Sequence, residues 1–278
     1  MTASPKVAAV SIGPAGDDRM PLWSEAEAGI RAAADAGAVL AVLPELFAQP
    51  YVAGDDPACW AHLREAIDGA TATRMAHVAR ANDIAVLFGM ALARPEELPL
   101  NAALLARANG SVELVAGKIH LPPADPADGF GEADHFTPGP ATVGMVEIGP
   151  IRMATLICYD RRFPECWRVA AAAGADLVAV LVGGPAPSDP DGLFVAELRT
   201  HARANAVYAL AAARYGTEAV LRQPIRHDGE SIAIAPNGTV IAVAPDSAPR
   251  IAIASIDPTC LVEARAHNAT ARRLRPVA

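Results

Sequence analysis

Two runs decide the fold: Ile151-Arg152-Met153-Ala154-Thr155-Leu156-Ile157 and, one helix-length further on, Asp176-Leu177-Val178-Ala179-Val180-Leu181-Val182. The second is apolar at every position from Leu177 to Val182. A run that short and that uniformly apolar reads as a strand covered on both faces. Residues 164–174 between the two runs read as a helix, residues 193–205 as another, and residues 207–213 as a further buried strand. This strand–helix–strand rhythm predicts parallel neighbours in an α/β sheet.

The same rhythm opens the chain. Residues 7–12 read as a strand and 24–37 as a helix, with Ser24 and Glu27 spaced as a capping box and Gly37 just past the end. Residues 38–43 follow as a two-face-buried strand, 57–82 as a mostly helical stretch, and 84–90 as another buried strand. Hairpins are predicted for 101–107 with 111–119 around Asn109-Gly110, and for 142–148 with 151–157 around Gly149-Pro150. Residues 231–235 and 239–244 pair across Pro236-Asn237-Gly238, and 250–256 add a late strand. Residues 121–140 are dense in Pro, Gly and Asp; a loop of that length within a compact domain usually serves function. Two such sheets packed face to face with helices outside would cover every strand. No repeat, low-complexity tract or linker interrupts the pattern, so a single domain spanning residues 5–278 is expected.

Composition agrees. The 278 residues are 52% hydrophobic and 19% charged, which excludes a disordered or coiled-coil chain and promises a large core. Alanine supplies much of that apolar share, so helices should approach the sheets closely. Aromatic residues are only 5%, and 23 Lys and Arg face 31 Asp and Glu for a net charge of −8. Such a chain is poorly suited to nucleic acid or an anionic membrane surface. Cys59, Cys158, Cys166 and Cys260 form no C-x-x-C pair and no disulfide framework. With no signal peptide visible and no apolar stretch long enough to span a bilayer, a reducing cytoplasm is the expected compartment.

Three polar residues sit where buried strands run out: Glu45, Lys118 and Cys158. Strand ends are where ligands gather in α/β sheets. Singly, each has an ordinary structural reading as a surface acid, a solvated lysine or a small core thiol. Together they are chemically complementary. A thiol needs a base or a nearby cation to become nucleophilic. Glu45 can take the proton, Lys118 can stabilise the developing charge, and Cys158 can attack an electrophilic carbon bonded to nitrogen. Lys118 and the backbone N–H of Tyr159 can then hold the tetrahedral oxyanion. Ammonia or an amine would leave, and water would hydrolyse the thioester with Glu45 as base. This chemistry requires no metal or organic cofactor. The competing motifs are missing: no H-E-x-x-H for zinc, no G-x-S-x-G for a serine hydrolase, and no Gly-rich phosphate loop.

Leu43-Pro44-Glu45-Leu46-Phe47, Gly117-Lys118-Ile119-His120-Leu121-Pro122 and Leu156-Ile157-Cys158-Tyr159-Asp160-Arg161-Arg162-Phe163-Pro164-Glu165 resemble the three signature segments of the nitrilase superfamily of carbon–nitrogen hydrolases. The resemblance runs from Val7-Ala8-Ala9-Val10 through Asn205-Ala206-Val207-Tyr208 to Ala235-Pro236-Asn237-Gly238 and the Arg-rich C-terminal end. It implies a four-layer α-β-β-α sandwich, a Glu45-Lys118-Cys158 triad, a small-molecule substrate, and a homodimer or larger homo-oligomer. It also implies a second glutamate in the long loop, assigned to Glu132 in preference to Asp134, that holds Lys118 and helps position substrate. Cys59, Cys166 and Cys260 are expected to be non-catalytic, with Cys166 in the core.

The segment after the nucleophile is Tyr159-Asp160 rather than the Trp-Glu usual in true nitrilases, which points to the amidase and carbamoylase branches. The pair Arg161-Arg162 is similar to that of the N-carbamoyl-D-amino-acid amidohydrolases, which implies Arg161 as the candidate for a substrate carboxylate and Arg162 as the structural arginine. Tyr159 stands where those enzymes have Asn, and Gly183-Gly184-Pro185-Ala186-Pro187 matches their corresponding segment loosely. The expected activity is hydrolysis of a small amide or N-carbamoyl compound with release of ammonia. The alternatives are an N-carbamoyl-D-amino-acid amidohydrolase specifically, a nitrilase, or a catalytically idle amide-binding scaffold.

Overall fold

Uniformly apolar strands have two faces to bury, and the chain buries both. The computed structural model describes residues 4–124, 129–183, 191–220, 224–227 and 229–268. In its first half, β1 (Lys6–Val10), β2 (Ala38–Val42) and β3 (Ala85–Leu92) lie parallel, and β4 (Leu100–Ala106) and β5 (Val112–Gly117) continue the sheet antiparallel. In its second half, β7 (Ile151–Ile157), β8 (Leu177–Val182) and β9 (Tyr208–Ala213) repeat the parallel centre. They are flanked on one side by β6 (Gly144–Ile148) and on the other by β12 (Ile232–Ile234) and β13 (Val240–Val243). The late strand β14 (Ile251–Ser255) returns to pair antiparallel with β1, so the first and last of these strands lie side by side.

Alternation within each strand sorts residues between layers. Val7, Ala9, Leu40, Val42 and Leu87 face the second sheet and share its core with Met153, Leu177, Ala179 and Leu210. Their neighbours Ala8, Val10, Ala41, Val86 and Phe88 face outward onto α1 (Met20–Asp35) and α3 (Ala70–Ala81). On the far side α5 (Pro164–Ala172) and α6 (Leu193–Asn205) cover the second sheet through Trp167, Ala170, Leu198 and Ala202. The result is the expected α-β-β-α sandwich. Small residues permit close approach: a Cβ at Gly29 of α1 would sit 2.4 Å from the Val10 side chain.

One local reading needs correction. Helix α1 starts at Met20, with Arg19 at its cap and Pro21 in its first turn, so Ser24 and Glu27 are not a capping box. Glu27 instead pairs with Arg74 of α3, and Glu25 accepts the Gly13 N–H at 2.8 Å. The 57–82 stretch is mostly helical, as expected, with one interruption. A short helix α2 (Pro57–Trp60) and one 3-10 turn are followed by an extended piece in which Glu65 pairs with Leu92 before α3 begins. Two features escape the sequence reading: the hairpin β10 (Gly216–Glu218) with β11 (Ile225–His227), and the helix α7 (Pro258–His267). Residues 184–187 and the Arg-rich C-terminal end lie outside the described residues. Among the described residues, no helix is long and apolar enough to cross a membrane.

Candidate active site

The site is built where strands of both sheets end. Glu45 follows β2 through Pro44 and is fully buried. Lys118 is the residue after β5, its N–H donating to the Asn101 carbonyl at 2.8 Å and its carbonyl accepting from Gly139 at 2.7 Å. Cys158 follows β7 and opens a 3-10 turn, Cys158–Arg162, that leads into α5. Its φ of +46° is a conformation most side chains avoid, and such strain gathers at functional turns. Glu132 opens the one-turn helix α4 (Glu132–His135). Asp134, the competing acid, is exposed and accepts the Gly131 N–H at 2.8 Å, which caps that turn.

Lys118 joins the two carboxylates. Its Nζ donates to Glu45 Oε1 at 2.8 Å and to Glu132 Oε1 at 2.5 Å, with all three side chains sealed from solvent. A buried charge is tolerated only when paired, and here one ammonium serves two carboxylates. Burial alone would lower the lysine's pKa, but Glu132 and then Glu45 outweigh it and push it well above the ordinary lysine value, so the ammonium stays charged. Glu132 moves up: burial dominates, Glu45 adds to it, and Lys118 opposes. Glu45 is held from two further directions, Asn101 Nδ2 donating to Oε1 at 2.6 Å and Gly183 N–H donating to Oε2 at 3.0 Å.

Cys158 shares this electrostatic environment and retains 9% exposure, whereas Lys118 and Glu132 have 1% and Glu45 none. Burial and then the Glu45 charge push its thiol up to about 11, with Lys118 and Arg161 acting the other way. The resting sulfur is therefore a thiol, and a base must remove its proton as it reacts. Asp160, 1% exposed, ties the lysine and cysteine segments together. It accepts the backbone N–H groups of His120 at 2.9 Å and of Ile119 and Ile157 at 3.3 Å each, and His120 Nδ1 lies 2.9 Å away. His120 also stacks on Phe163 with ring centroids 3.5 Å apart.

Of the remaining nominated residues, Tyr159 is the second residue of the Cys158 turn, its ring edge-on to Phe163. Arg161 is buried. Its Nη1 donates to the Cys158 carbonyl at 3.2 Å and lies 4.0 Å from Sγ, while its Nε is 3.2 Å from Glu197 of α6. Arg162 reaches the same carboxylate at 4.0 Å and is the more exposed of the two. Cys166 is buried in the core cluster, Cys59 is exposed, and Cys260 is intermediate. Among the described residues, no group of three or more His, Cys, Asp or Glu could hold a metal ion.

Sequence reasoning missed three partners. Asn101 carried a signal, being the one polar residue in Leu100-Asn101-Ala102-Ala103-Leu104-Leu105. Gly183 acts through its backbone, which composition does not reveal. Tyr51, whose hydroxyl donates to Glu132 Oε1 at 2.5 Å, lies in the loop after β2, where a Tyr excites no suspicion.

Comparison with known proteins gives a consistent result. The family model for carbon-nitrogen hydrolases matches residues 6–266. A Pseudomonas protegens protein described as a hydrolase in the pqqF 5′ region is 35% identical over 242 residues, covering 85% of this chain and 78% of that protein. The human deaminated glutathione amidase is 30% identical over 254 residues, 89% and 75% of the two chains. A citrullinase from Francisella tularensis is 28% identical over 281 residues, covering 99% and 96%. In fold, the carbon-nitrogen hydrolase of Helicobacter pylori superposes with a TM-score of 0.86 at 22% identity, covering 98% of this chain and 95% of that one. An amidase of Nesterenkonia sp. AN1, in a cysteine-to-alanine variant bound to butyramide, does so with a TM-score of 0.77 at 24% identity over 95% of each. The chain therefore belongs to the carbon–nitrogen hydrolase family of the nitrilase superfamily.

Proposed function

We propose that the protein is an amidase that releases ammonia from a small amide through a thioester on Cys158. The observation that carries this reading is the buried Glu45–Lys118–Glu132 bridge beside a thiol held up at about 11. A thiol so far from ionised demands a nearby base, and Glu45 is the carboxylate that acts most strongly on the Cys158 thiol, whereas Glu132 acts on it least.

In the first half-reaction Glu45 accepts the Cys158 proton as the sulfur–carbon bond forms. The carbonyl π electrons move to oxygen, where Lys118 Nζ and the Tyr159 N–H stabilise the charge. Collapse breaks the carbon–nitrogen bond, and the nitrogen takes the proton from Glu45 and leaves as ammonia. In the second half, Glu45 takes a proton from water, hydroxide oxygen adds to the thioester, and the sulfur leaves with that proton. Glu132 keeps the ammonium in place throughout.

Relatives described as a deaminated glutathione amidase, a citrullinase and an N-carbamoylputrescine amidase support an amide or carbamoyl substrate. An N-carbamoyl amino acid would have its carboxylate read by Arg161 only if that guanidinium exchanged Glu197 for substrate. The same reading includes self-association into a homodimer or larger homo-oligomer and a cytoplasmic location. The test is ammonia release from aliphatic amides, ω-amides, N-carbamoyl amino acids and nitriles, by the wild type and by the Cys158→Ala, Glu45→Gln and Lys118→Ala proteins. Turnover of an amide that all three substitutions abolish is expected. A protein indifferent to all three would be an amide-binding scaffold.

A further inference from the structure

Behind the site lies a second buried ion cluster that the mechanism above does not use. Arg214, just after β9, and Glu218, the last residue of β10, are 1% and 0% exposed and are paired at 2.6 Å. His227 of β11 approaches the same carboxylate at 3.2 Å. Burying charges so far from solvent costs stability unless their polar atoms are engaged; among the described residues Arg214 Nε and the His227 ring nitrogens make no hydrogen bond, while the Glu218 oxygens and the Arg214 Nη atoms hold loop backbone. Glu218 Oε1 accepts the Ala15 N–H at 3.2 Å and Oε2 accepts the Tyr51 N–H at 2.9 Å. Arg214 Nη1 donates to the Gln49 carbonyl at 2.7 Å, and Nη2 to the Gly13 carbonyl at 3.4 Å.

One guanidinium and one carboxylate thus grip the two ends of Gln49-Pro50-Tyr51. The tripeptide is further fixed by its proline. What it presents is the Tyr51 hydroxyl, which donates to Glu132 Oε1, the oxygen that also receives Lys118. Glu132 Oε2 is left buried with no hydrogen-bond partner. The carboxylate is therefore turned so that one oxygen is fully engaged within the protein and the other is not.

We infer that the Arg214–Glu218 pair is a backbone clamp that positions Tyr51, and that Tyr51 is a positioning residue fixing the rotation of Glu132 on Lys118. The inference rests on Glu132 supporting the catalysis proposed above. Its chemistry is consistent with the surroundings. Burial and the nearby Glu132 and Glu45 carboxylates hold the tyrosine well above the usual phenol range, so the hydroxyl remains a donor at any working pH. The titratable and charged groups around Glu132 are Lys118 after β5, Tyr51 and Glu45 in the loop after β2, and Cys158 after β7. Of these, Tyr51 and Lys118 donate hydrogen bonds that favour the ionised carboxylate.

The test compares Tyr51→Phe, Glu218→Gln and the double variant. Tyr51→Phe removes one hydroxyl and leaves the clamp intact. It is expected to lower kcat by about tenfold or more, as misplacement of a supporting group does, with KM little changed. It should also move the acid limb of kcat/KM to higher pH, because Glu132 loses a donor that favours its charge. Glu218→Gln should move the limb in the same direction, and should add no further shift in the Tyr51→Phe background. A Glu218→Gln protein that does not fold is replaced by Arg214→Lys, which keeps the charge but loses the two-ended grip. A wild-type rate and pH profile for Tyr51→Phe, or equal limb shifts from the clamp variant in both backgrounds, would overturn the inference. Glu132→Gln separates the two readings. If it is inactive while Tyr51→Phe behaves as wild type, the clamp fails alone; if it is fully active, the role given to Glu132 fails first.

Discussion

At the scale of single residues, the thiol of Cys158 bears the most testable chemistry. Because burial and Glu45 hold it up at about 11, its thiolate population should grow roughly tenfold per pH unit on approaching that value. Iodoacetamide labelling of Cys158, mapped by peptide mass, should therefore climb steadily from pH 7 to pH 10. A flat profile would mean a thiolate already formed at neutral pH. The strained backbone gives a second expectation. With φ at +46°, Cys158→Gly should be more stable than Cys158→Ala by about 1 kcal/mol, since only glycine occupies that region without steric cost. Thermal or urea unfolding of the two inactive proteins checks it; an alanine variant of equal stability would show that the turn is unstrained. Glu45, Lys118 and Cys158 were legible in the sequence because each is a polar residue ending an apolar run. Tyr51 and Gly183 were not, because one acts from a loop through a single hydroxyl and the other through its backbone.

Elements hold those residues by close approach. Strand β3 runs directly beneath the turn that carries Glu45, and a Cβ on Gly89 would lie 2.6 Å from both Glu45 Cα and Leu46 N. Backbone cannot yield as a side-chain tip does, so Gly89→Ala should cost about 1–3 kcal/mol and displace Glu45. The expected outcome is a lower Tm together with a larger loss of kcat than any apolar substitution on the outer face of the same strand. A fall in Tm with kcat intact would show that the turn relaxes without moving the carboxylate. The limits of sequence reading are also clearest here. Ser24 and Glu27 had the right spacing for a cap, but the helix gains an earlier start from Pro21, and Glu27 is drawn to Arg74 on the neighbouring helix. Glu65 sits in what reads as helix, yet its backbone exchanges hydrogen bonds with Ala91 and Ala93 while its side chain accepts the Thr71 N–H. Both outcomes are tertiary, and local pattern has no access to them. Helix α7 did carry a signal, Asp257 capping Thr259 N–H ahead of Pro258, but Leu261 is its only buried residue, so no apolar stripe announced it.

For the whole molecule, the sandwich was readable because two strand–helix–strand halves of uniformly apolar strands have few ways to cover four faces. Register and the partner of the closing strand were not. That β14 returns to β1, and that the two inner faces share one core, depend on pairings across most of the chain length. Self-association belongs to this scale too. Light scattering is expected to give a mass of at least twice the 28.7 kDa chain, and a monomer at every concentration would remove that part of the proposal. The central claim is that Cys158 takes the acyl group from an amide. Its most direct measurement is the intact and peptide mass of enzyme acid-quenched during turnover of an amide, alongside ammonia release by wild type and Cys158→Ala. The account predicts a mass gain equal to the acyl group on the Cys158 peptide and a loss of at least about 10³-fold in turnover in the variant. Ammonia release continuing at the wild-type rate in Cys158→Ala would contradict it.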